Sequence, residues 1–228
     1  MTSLGLKIIA IITMLCDHIS DGFFHHFTFL NVIGRISFPI FAFLIAEGYQ
    51  HTSNVKKYLK RLLLFALISQ IPFTLFYTTF SNNLFVLNIF FTLSAGLFAI
   101  YLYDKCQDKL SGLLGVISIA VLAELLHFDY GAFGVLIIFV FYVLRNKKIW
   151  MTLSFLFLCF LKYLPSFITY SFHPLYILLT IFTTLPILFI LLYNGKQGKK
   201  GKKLQYFFYL FYPLHLLFIF VISHFFLN

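Results

Sequence analysis

The sequence predicts an all-α, multi-pass membrane protein with about nine transmembrane helices. Of its 228 residues, 61% are hydrophobic and only 11% are charged, and the mean hydropathy is +0.94. A soluble domain carries about a quarter charged residues. No soluble fold of this length could bury 33 Phe and 14 Tyr, so the soluble and disordered classes are excluded. Three cysteines without a CxxC spacing indicate neither a disulfide framework nor a metal site.

Polar gaps divide the chain into nine apolar stretches, close to the roughly 20 residues that a helix needs to cross a bilayer. The predicted spans are 5–24, 32–50, 60–78, 84–103, 111–127, 130–145, 149–165, 174–193 and 204–226. Because no charge occurs between residues 62 and 103, the sequence Ser81-Asn82-Asn83 is predicted to turn the chain there. Strands of a membrane barrel would be shorter and would alternate in polarity. We expect one domain over residues 1–228, with an uncleaved first span.

The basic residues predict the orientation of these spans. Fourteen lysines and arginines fall in the even-numbered gaps, against Lys162 alone among the odd ones. Cytoplasmic loops are enriched in Lys and Arg, so the N-terminus is predicted to be cytoplasmic and the C-terminus outside, in the plasma (inner) membrane. The lysine-rich stretch 194–203 is interpreted as a topology-setting loop that can touch anionic lipid, and no nucleic-acid partner is expected.

Ionisable side chains inside the predicted spans are costly and usually mark a site. They are Asp17, His18, Arg35, Glu47, Glu124 and His215. Helical rise places both histidines about 16 Å from the cytoplasmic ends of their spans, near the middle of the membrane. Lys7 shares a face with His18, which suits an anionic head group held at the surface with its reactive end inside the membrane.

Other polar residues are expected to line one cavity with these groups. Asp17 points about 100° away from His18 and could instead pair with Arg35. Arg35 and Asn88 lie about a turn below the outer surface, and Glu124 lies in the outer half of its span. Plainer interpretations compete, because Lys7 could be a topology anchor, and His215 and Asn88 could be interhelical hydrogen-bonding groups.

Five short sequences, taken together, resemble the TraX family. They are LKIIAIITMLCDHI, IGRISFPIFAFLIAEGYQHT, LNIFFTLSAG, DYGAFGVLIIFVFY and FYLFYPLHLL, in order along nearly the whole chain. The family is named for a conjugative-plasmid membrane protein that acetylates the N-terminus of F-type pilin. It is grouped with integral-membrane acyltransferases such as lysosomal heparan glucosaminide acetyltransferase and bacterial polysaccharide O-acetyltransferases.

The resemblance implies transfer of an acyl group, most simply acetyl, from cytoplasmic acyl-CoA to an acceptor reached from the outer side. The acceptor would be an amine or hydroxyl of a pilin-like peptide or a cell-surface glycan, and no metal is implied. In the wider group a basic residue precedes a functional histidine in the first span. Lys7 and His18 match that pattern, with Lys where Arg is usual, and only Arg can bind a phosphate bidentately.

The residue roles follow from both lines of reasoning. Catalytic roles are predicted for His18, Asp17 and His215, with His18 as the base. Substrate-binding roles are predicted for Lys7, Arg35, Asn88, Glu124 and Tyr212. The main alternative is a proton-coupled transporter or flippase, because buried ionisable groups also form proton relays.

Overall fold

The computed structural model describes residues 1–24, 28–79, 81, 85–199 and 201–227. Over these ranges the chain forms eleven α-helices and no strand, so the all-α prediction is confirmed. The helices are α1 (Ser3–Phe23), α2 (Phe29–Gly34), α3 (Ser37–His51), α4 (Val55–Tyr77), α5 (Ile89–Lys105), α6 (Lys109–Leu125), α7 (Gly131–Val143), α8 (Lys148–Thr169), α9 (Pro174–Thr184), α10 (Pro186–Leu191) and α11 (Lys202–Leu227).

Each predicted span falls on one helix or on a broken pair of helices. Within the described ranges, six segments are long and apolar enough to cross a membrane, and two of them are the pairs α2–α3 and α9–α10. The helices α5, α6 and α7 are shorter, with 17, 17 and 13 residues. A multi-pass membrane protein is therefore confirmed, whereas the number nine stays a prediction. In the predicted turn after α4, Asn82 and Asn83 lie outside the described residues.

The α2–α3 segment forms the centre of the helix bundle. Its most apolar window is 72% buried, compared with 28–33% for the other candidate spans. It packs against α1, α5, α7, α9 and α10. A helix that is apolar on all sides belongs inside a bundle, and the surrounding helices turn their large apolar side chains outward.

A break between α2 and α3 brings a charged residue next to α1. The Thr28 side chain caps α2, and Asn31 completes a capping box with it. The helix ends at Gly34, where a Cβ atom would overlap the Asp17 side chain. Glycine therefore allows α1 to approach the break closely, and Arg35, the next residue, lies against Asp17.

A short backbone contact positions the chain between α6 and α7. Leu87 N–H donates to the His127 carbonyl at 3.0 Å, and Asp129 N–H donates to the Leu87 carbonyl at 2.8 Å. Tyr130 follows in the left-handed conformation, with φ 64°, and its ring stacks on Phe38 at 3.8 Å between centroids. Asp129 and Tyr130 are thereby turned towards the interior of the bundle.

Backbone hydrogen bonds also tie the lysine-rich stretch to the start of α1. Ser3 N–H donates to the Lys196 carbonyl at 2.9 Å, and Leu4 N–H donates to the Gln197 carbonyl at 3.2 Å. The residues that lead into α11 therefore lie beside the first turn of α1.

The orientation can be tested with single cysteines in a variant that lacks Cys16, Cys106 and Cys159. Gly201→Cys suits the cytoplasmic position, because a Cβ atom there meets no neighbour within 4 Å. We expect it to resist a membrane-impermeant thiol reagent in intact cells and to react after permeabilisation. Asn228→Cys should react in intact cells. The opposite labelling pattern would show that the orientation is reversed.

Candidate functional site

A cavity of about 620 Å³ runs through the bundle, enclosed mainly by α1, α3, α4, α5 and α11. One face of α1 follows it along its length. The residues of that face are Ser3, Leu4, Lys7, Met14, Asp17, His18 and Asp21. Successive residues of this set are one, three or seven positions apart, so they spread over roughly 140° of the helix surface. The cavity therefore continues from the first turn of α1 almost to its end.

The two ends of the cavity carry opposite charge. Around the start of α1 its lining includes Lys7, Arg61, Lys199 and Lys202. The carboxylate at this end, Glu47, accepts hydrogen bonds from Tyr193 at 3.0 Å and from His51 at 2.9 Å. We call this the basic end.

The opposite end contains three carboxylates and one guanidinium, from Asp17, Asp21, Asp129 and Arg35. We call this the acidic end. Cations at one end and carboxylates at the other create a gradient of electrostatic potential along the cavity.

A histidine pair lies between the two ends. His18 Nδ1 is 2.6 Å from His215 Nε2, and His215 Nδ1 is 2.6 Å from the Phe211 carbonyl oxygen. A carbonyl oxygen only accepts, so His215 carries its proton on Nδ1. With both rings neutral, His215 Nε2 accepts and His18 donates from Nδ1. This arrangement leaves an unprotonated Nε2 on His18, the residue of the pair that lines the cavity.

Aromatic side chains hold the pair in place. The two imidazoles stack at 4.9 Å between centroids. Phe76 and Tyr212 lie 5.3 and 6.2 Å from the His18 ring, and Phe211 stacks on His215 at 4.8 Å. Because a positioned imidazole with a free nitrogen can take a proton from a bound molecule, the geometry is that of a general base.

Asp17 pairs with Arg35 and not with His18. Arg35 Nη2 lies 2.8 and 2.9 Å from the two carboxylate oxygens of Asp17, and Arg35 Nε donates to the Asn31 carbonyl at 3.1 Å. The Asn31 amide also donates to Asp21 at 2.6 Å and to Asp17 at 3.2 Å. The network joins α1 to α2 and gives the Arg35 guanidinium, whose side chain is 25% exposed, a partner for its charge.

Five of the eight predicted site residues line the cavity: Lys7, Asp17, His18, Arg35 and Tyr212. His215 lies directly behind His18 and contacts the cavity only through that ring. The structure therefore brings six of the eight together.

Two predicted substrate-binding residues, Asn88 and Glu124, lie away from the cavity lining. Asn88 is fully buried and donates to the Ala66 carbonyl at 2.7 Å and to Gln70 at 2.8 Å. Its Oδ1 caps α5 by accepting from Phe90 N–H. Glu124 accepts from Ala132 N–H at 2.9 Å, at the start of α7. These side chains satisfy backbone groups that α5 and α7 leave open, so their contacts are structural.

Several residues that line the cavity carry no predicted role from the sequence. Asp21 follows Asp17 by one helical turn, a spacing that could have identified it. Arg61 is one of the fourteen cations of the even-numbered gaps, and no role is predicted for Tyr58, although both line the cavity. Outside the cavity lining, Lys162 lies within α8 and not in a loop, with its Nζ 5.0 and 4.8 Å from the ring centroids of Tyr130 and Phe133.

Metal binding is not indicated within the part of the chain that the structure describes, where no group of three His, Cys, Asp or Glu side chains converges. The cavity therefore offers an imidazole base that lies between the basic end and the acidic end.

Fold and site together define an α-helical membrane protein with a reaction or binding site inside its helix bundle. The chain belongs to the TraX family, because the family model described as TraX protein matches residues 3–223.

Two curated relatives share part of this similarity. A probable fimbrial assembly protein FimC, serogroup H1, of Dichelobacter nodosus is 34% identical over 145 residues, which cover 58% of this chain and 57% of the relative. An uncharacterized protein of Rickettsia prowazekii (strain Madrid E) is 26% identical over 150 residues, covering 63% and 56%. The chain thus spans a little over half the length of each relative. No solved structure matches it.

The tautomer assignment can be checked by ¹⁵N NMR of histidine-labelled protein. We expect the His18 signals to report a protonated Nδ1 and an unprotonated Nε2, because His215 accepts from Nδ1. His215→Ala removes this acceptor, so the Nδ1 preference of His18 should weaken. A protonated Nε2 on neutral His18 in the unaltered protein would contradict the assignment.

Asn88→Ala tests the structural interpretation of that residue. Loss of a helix cap and of two buried hydrogen bonds should lower the free energy of unfolding by roughly 2 kcal/mol. Thermal unfolding in detergent measures this change, and ligand affinity per folded molecule should stay the same. If Asn88→Ala keeps its stability but binds ligand more weakly, Asn88 contributes to ligand binding and the structural interpretation is wrong.

Proposed function

We propose that this protein is an integral-membrane acyltransferase that moves an acyl group, most simply acetyl, from cytoplasmic acyl-CoA to an amine reached from the outer side. The observation that carries the proposal is the hydrogen-bonded His18–His215 pair at a cavity that is cationic at one end and carboxylate-lined at the other, since this pairing leaves Nε2 of neutral His18 without a proton. Membership of the TraX family supports it.

The basic end suits the donor. Coenzyme A carries phosphates at one end and its thioester at the other. The phosphates would be attracted by Lys7, Lys199 and Lys202. Helical rise separates Lys7 and His18 by about 16 Å along α1, so an extended donor would bring its thioester towards His18.

The acidic end suits a cationic acceptor. Three carboxylates face one guanidinium there, and the Lys162 ammonium lies nearby over the Tyr130 ring. One negative charge remains in this group, which favours an ammonium group over a neutral hydroxyl. Asp21 and Asp129 are the proposed contacts, because Asp17 is already paired with Arg35.

The proposed reaction needs only proton transfers and the displacement of a thiolate. The bound ammonium loses one proton to water, and His18 Nε2 takes a second as the nitrogen attacks the thioester carbonyl. The C–N bond forms, the C–S bond breaks, and the imidazolium returns its proton to the leaving sulfur. The products are an amide, free coenzyme A and one released proton. The Tyr212 hydroxyl is the proposed hydrogen-bond donor to the carbonyl oxygen.

The name of the Dichelobacter nodosus relative refers to fimbrial assembly, so a pilin-like peptide is the proposed class of acceptor. The plasma (inner) membrane is the proposed location, since cytoplasmic acyl-CoA and an outer acceptor can meet there.

The proposal is tested with the purified protein in lipid nanodiscs and radiolabelled acetyl-CoA. A short peptide with a free α-amine should become labelled, while the same peptide with a formylated N-terminus should not. If acetyl is transferred only to a probe that offers a hydroxyl and not to the peptide amine, the acceptor is a hydroxyl and the amine assignment is wrong. Absence of acetyl-CoA binding would overturn the proposal and favour the transporter alternative.

Replacing the two histidines separates their roles. His18→Ala should keep its donor affinity and thermal stability but lose about 10²- to 10⁴-fold in turnover, the usual effect of losing a general base. The turnover of His215→Ala should lie between that of His18→Ala and that of the unaltered protein, because His18 remains but is less well oriented. The matched control is His224→Ala, which alters an exposed histidine on the same helix as His215.

The assay follows release of coenzyme A in the presence of the peptide acceptor. Unaltered turnover in folded His18→Ala would contradict the assignment of the base. Complete loss only in His215→Ala would show that the other histidine of the pair carries the chemistry.

A further inference from the structure

Arg61 lies between two tyrosines in the wall of the cavity. Its guanidinium carbon is 5.2 Å from the ring centroid of Tyr58 and 5.3 Å from that of Tyr209. Arg61 Nε donates a hydrogen bond to the Tyr209 hydroxyl at 3.1 Å. Cation–π contacts from two rings and a hydrogen bond at Nε restrict the rotation of this long side chain.

The two tyrosines are themselves held by packing. Tyr58 precedes Arg61 by almost one turn of α4 and is 9% exposed. It packs against Gly48, where a Cβ atom would lie 2.9 Å from the Tyr58 hydroxyl. Tyr209, on α11, stacks on Phe65 with centroids 4.8 Å apart. The guanidinium is thus oriented before any ligand arrives.

The outer edge of this guanidinium is available for a ligand. Of its five N–H groups, Nε–H is used by Tyr209, and the two Nη atoms carry the other four. Over the described residues, the side-chain ion pairs are Arg35 with Asp17 and His51 with Glu47. Arg61 belongs to neither pair, although it lines the cavity.

Other cations surround the same position. Lys7 lies over the Phe208 ring at 5.4 Å from its centroid, and Phe208 precedes Tyr209 on α11. Lys7 and Arg61 therefore flank α11 at the same level, one from α1 and one from α4. Lys202, in the first turn of α11, also lines this end.

We propose that Arg61 binds the diphosphate of the acyl-CoA donor, with two parallel N–H groups on two phosphate oxygens. The inference rests on the proposed acyltransferase function and assigns the bidentate contact that Lys7 cannot make. A rigid planar guanidinium matches phosphate geometry, whereas an ammonium acts as a point charge. Lys7 and Lys202 add charge around the diphosphate, and Arg61 sets its orientation.

The experiment compares ligands with and without the diphosphate, using full-length protein in nanodiscs. Binding of acetyl-CoA, S-acetylpantetheine and inorganic pyrophosphate is measured for the unaltered protein and for Arg61→Gln. Two charge-assisted hydrogen bonds are lost, so Arg61→Gln should weaken acetyl-CoA and pyrophosphate binding by about tenfold to a hundredfold. S-acetylpantetheine, which has no phosphate, should bind equally well to both proteins.

Two further variants separate the orientation of the side chain from its charge. Arg61→Lys keeps the cation but lacks the planar pair of donors, so it should recover only a minor part of the affinity. Tyr209→Phe removes the hydroxyl that accepts from Nε and should weaken acetyl-CoA binding by a smaller factor. The matched control is Lys60→Gln, which removes one exposed cation from the same helix and should leave affinity unchanged.

The outcomes distinguish this inference from the proposed function. If the unaltered protein binds none of the three ligands, both are overturned. If it binds acetyl-CoA and folded Arg61→Gln binds it equally well, only the role of Arg61 is wrong. Full affinity in Arg61→Lys would show that charge alone suffices and would overturn the bidentate contact. If Lys60→Gln loses as much acetyl-CoA affinity as Arg61→Gln, the effect comes from general surface charge and the specific role of Arg61 is wrong.

Discussion

The ion pair between Asp17 and Arg35 is the interaction on which the rest of the site depends. A charge buried in an apolar bundle is costly unless it is paired, and removing one partner of such a pair typically costs about 3–5 kcal/mol. The pair joins α1 to the break between α2 and α3. It also engages the carboxylate that adjoins His18 in the sequence, so the imidazole takes His215 as its partner. One ionic contact thus positions the central helix and determines the neighbours of the proposed base.

The same principle of satisfied polar groups organises the remainder of the cavity. The chain of hydrogen bonds from His18 through His215 ends at a backbone carbonyl, which orients the imidazole without adding a negative charge beside it. Glu47 accepts hydrogen bonds from Tyr193 and His51, and its single negative charge is outnumbered by the four cations that line this end. The consequence is a cavity whose ends differ in charge. That difference suits a reaction between an anionic donor and a cationic acceptor on opposite sides of one base.

Predicted site residues that the structure brings to the cavity and those that it places elsewhere differ in the kind of information that their position requires. Depth along a helix follows from counting residues, and His18 and His215, placed at equal depth by that count, are in contact in the structure. Direction around a helix follows only when a second residue defines the face, as Lys7 does for His18. For Asn88 and Glu124, no second residue on the same helix defined the face on which the side chain lies. They were placed in the site because polar residues in spans are costly, but helix ends also need polar partners, and both side chains serve that need.

The sequence by itself determined the membrane class, the approximate helix positions and the family, because hydrophobicity, run length and short motifs are properties of neighbouring residues. The sequence also offered Asp17 as a possible partner of Arg35, and the structure shows that pair. Tertiary structure alone decided which helix forms the centre and which partner orients the His18 ring. It also decided that Arg61, one of many cations near span ends, is held between two rings. These features depend on contacts between distant parts of the chain, such as the histidines 197 residues apart. Local sequence does not encode them, because the packing of whole helices brings the partners together.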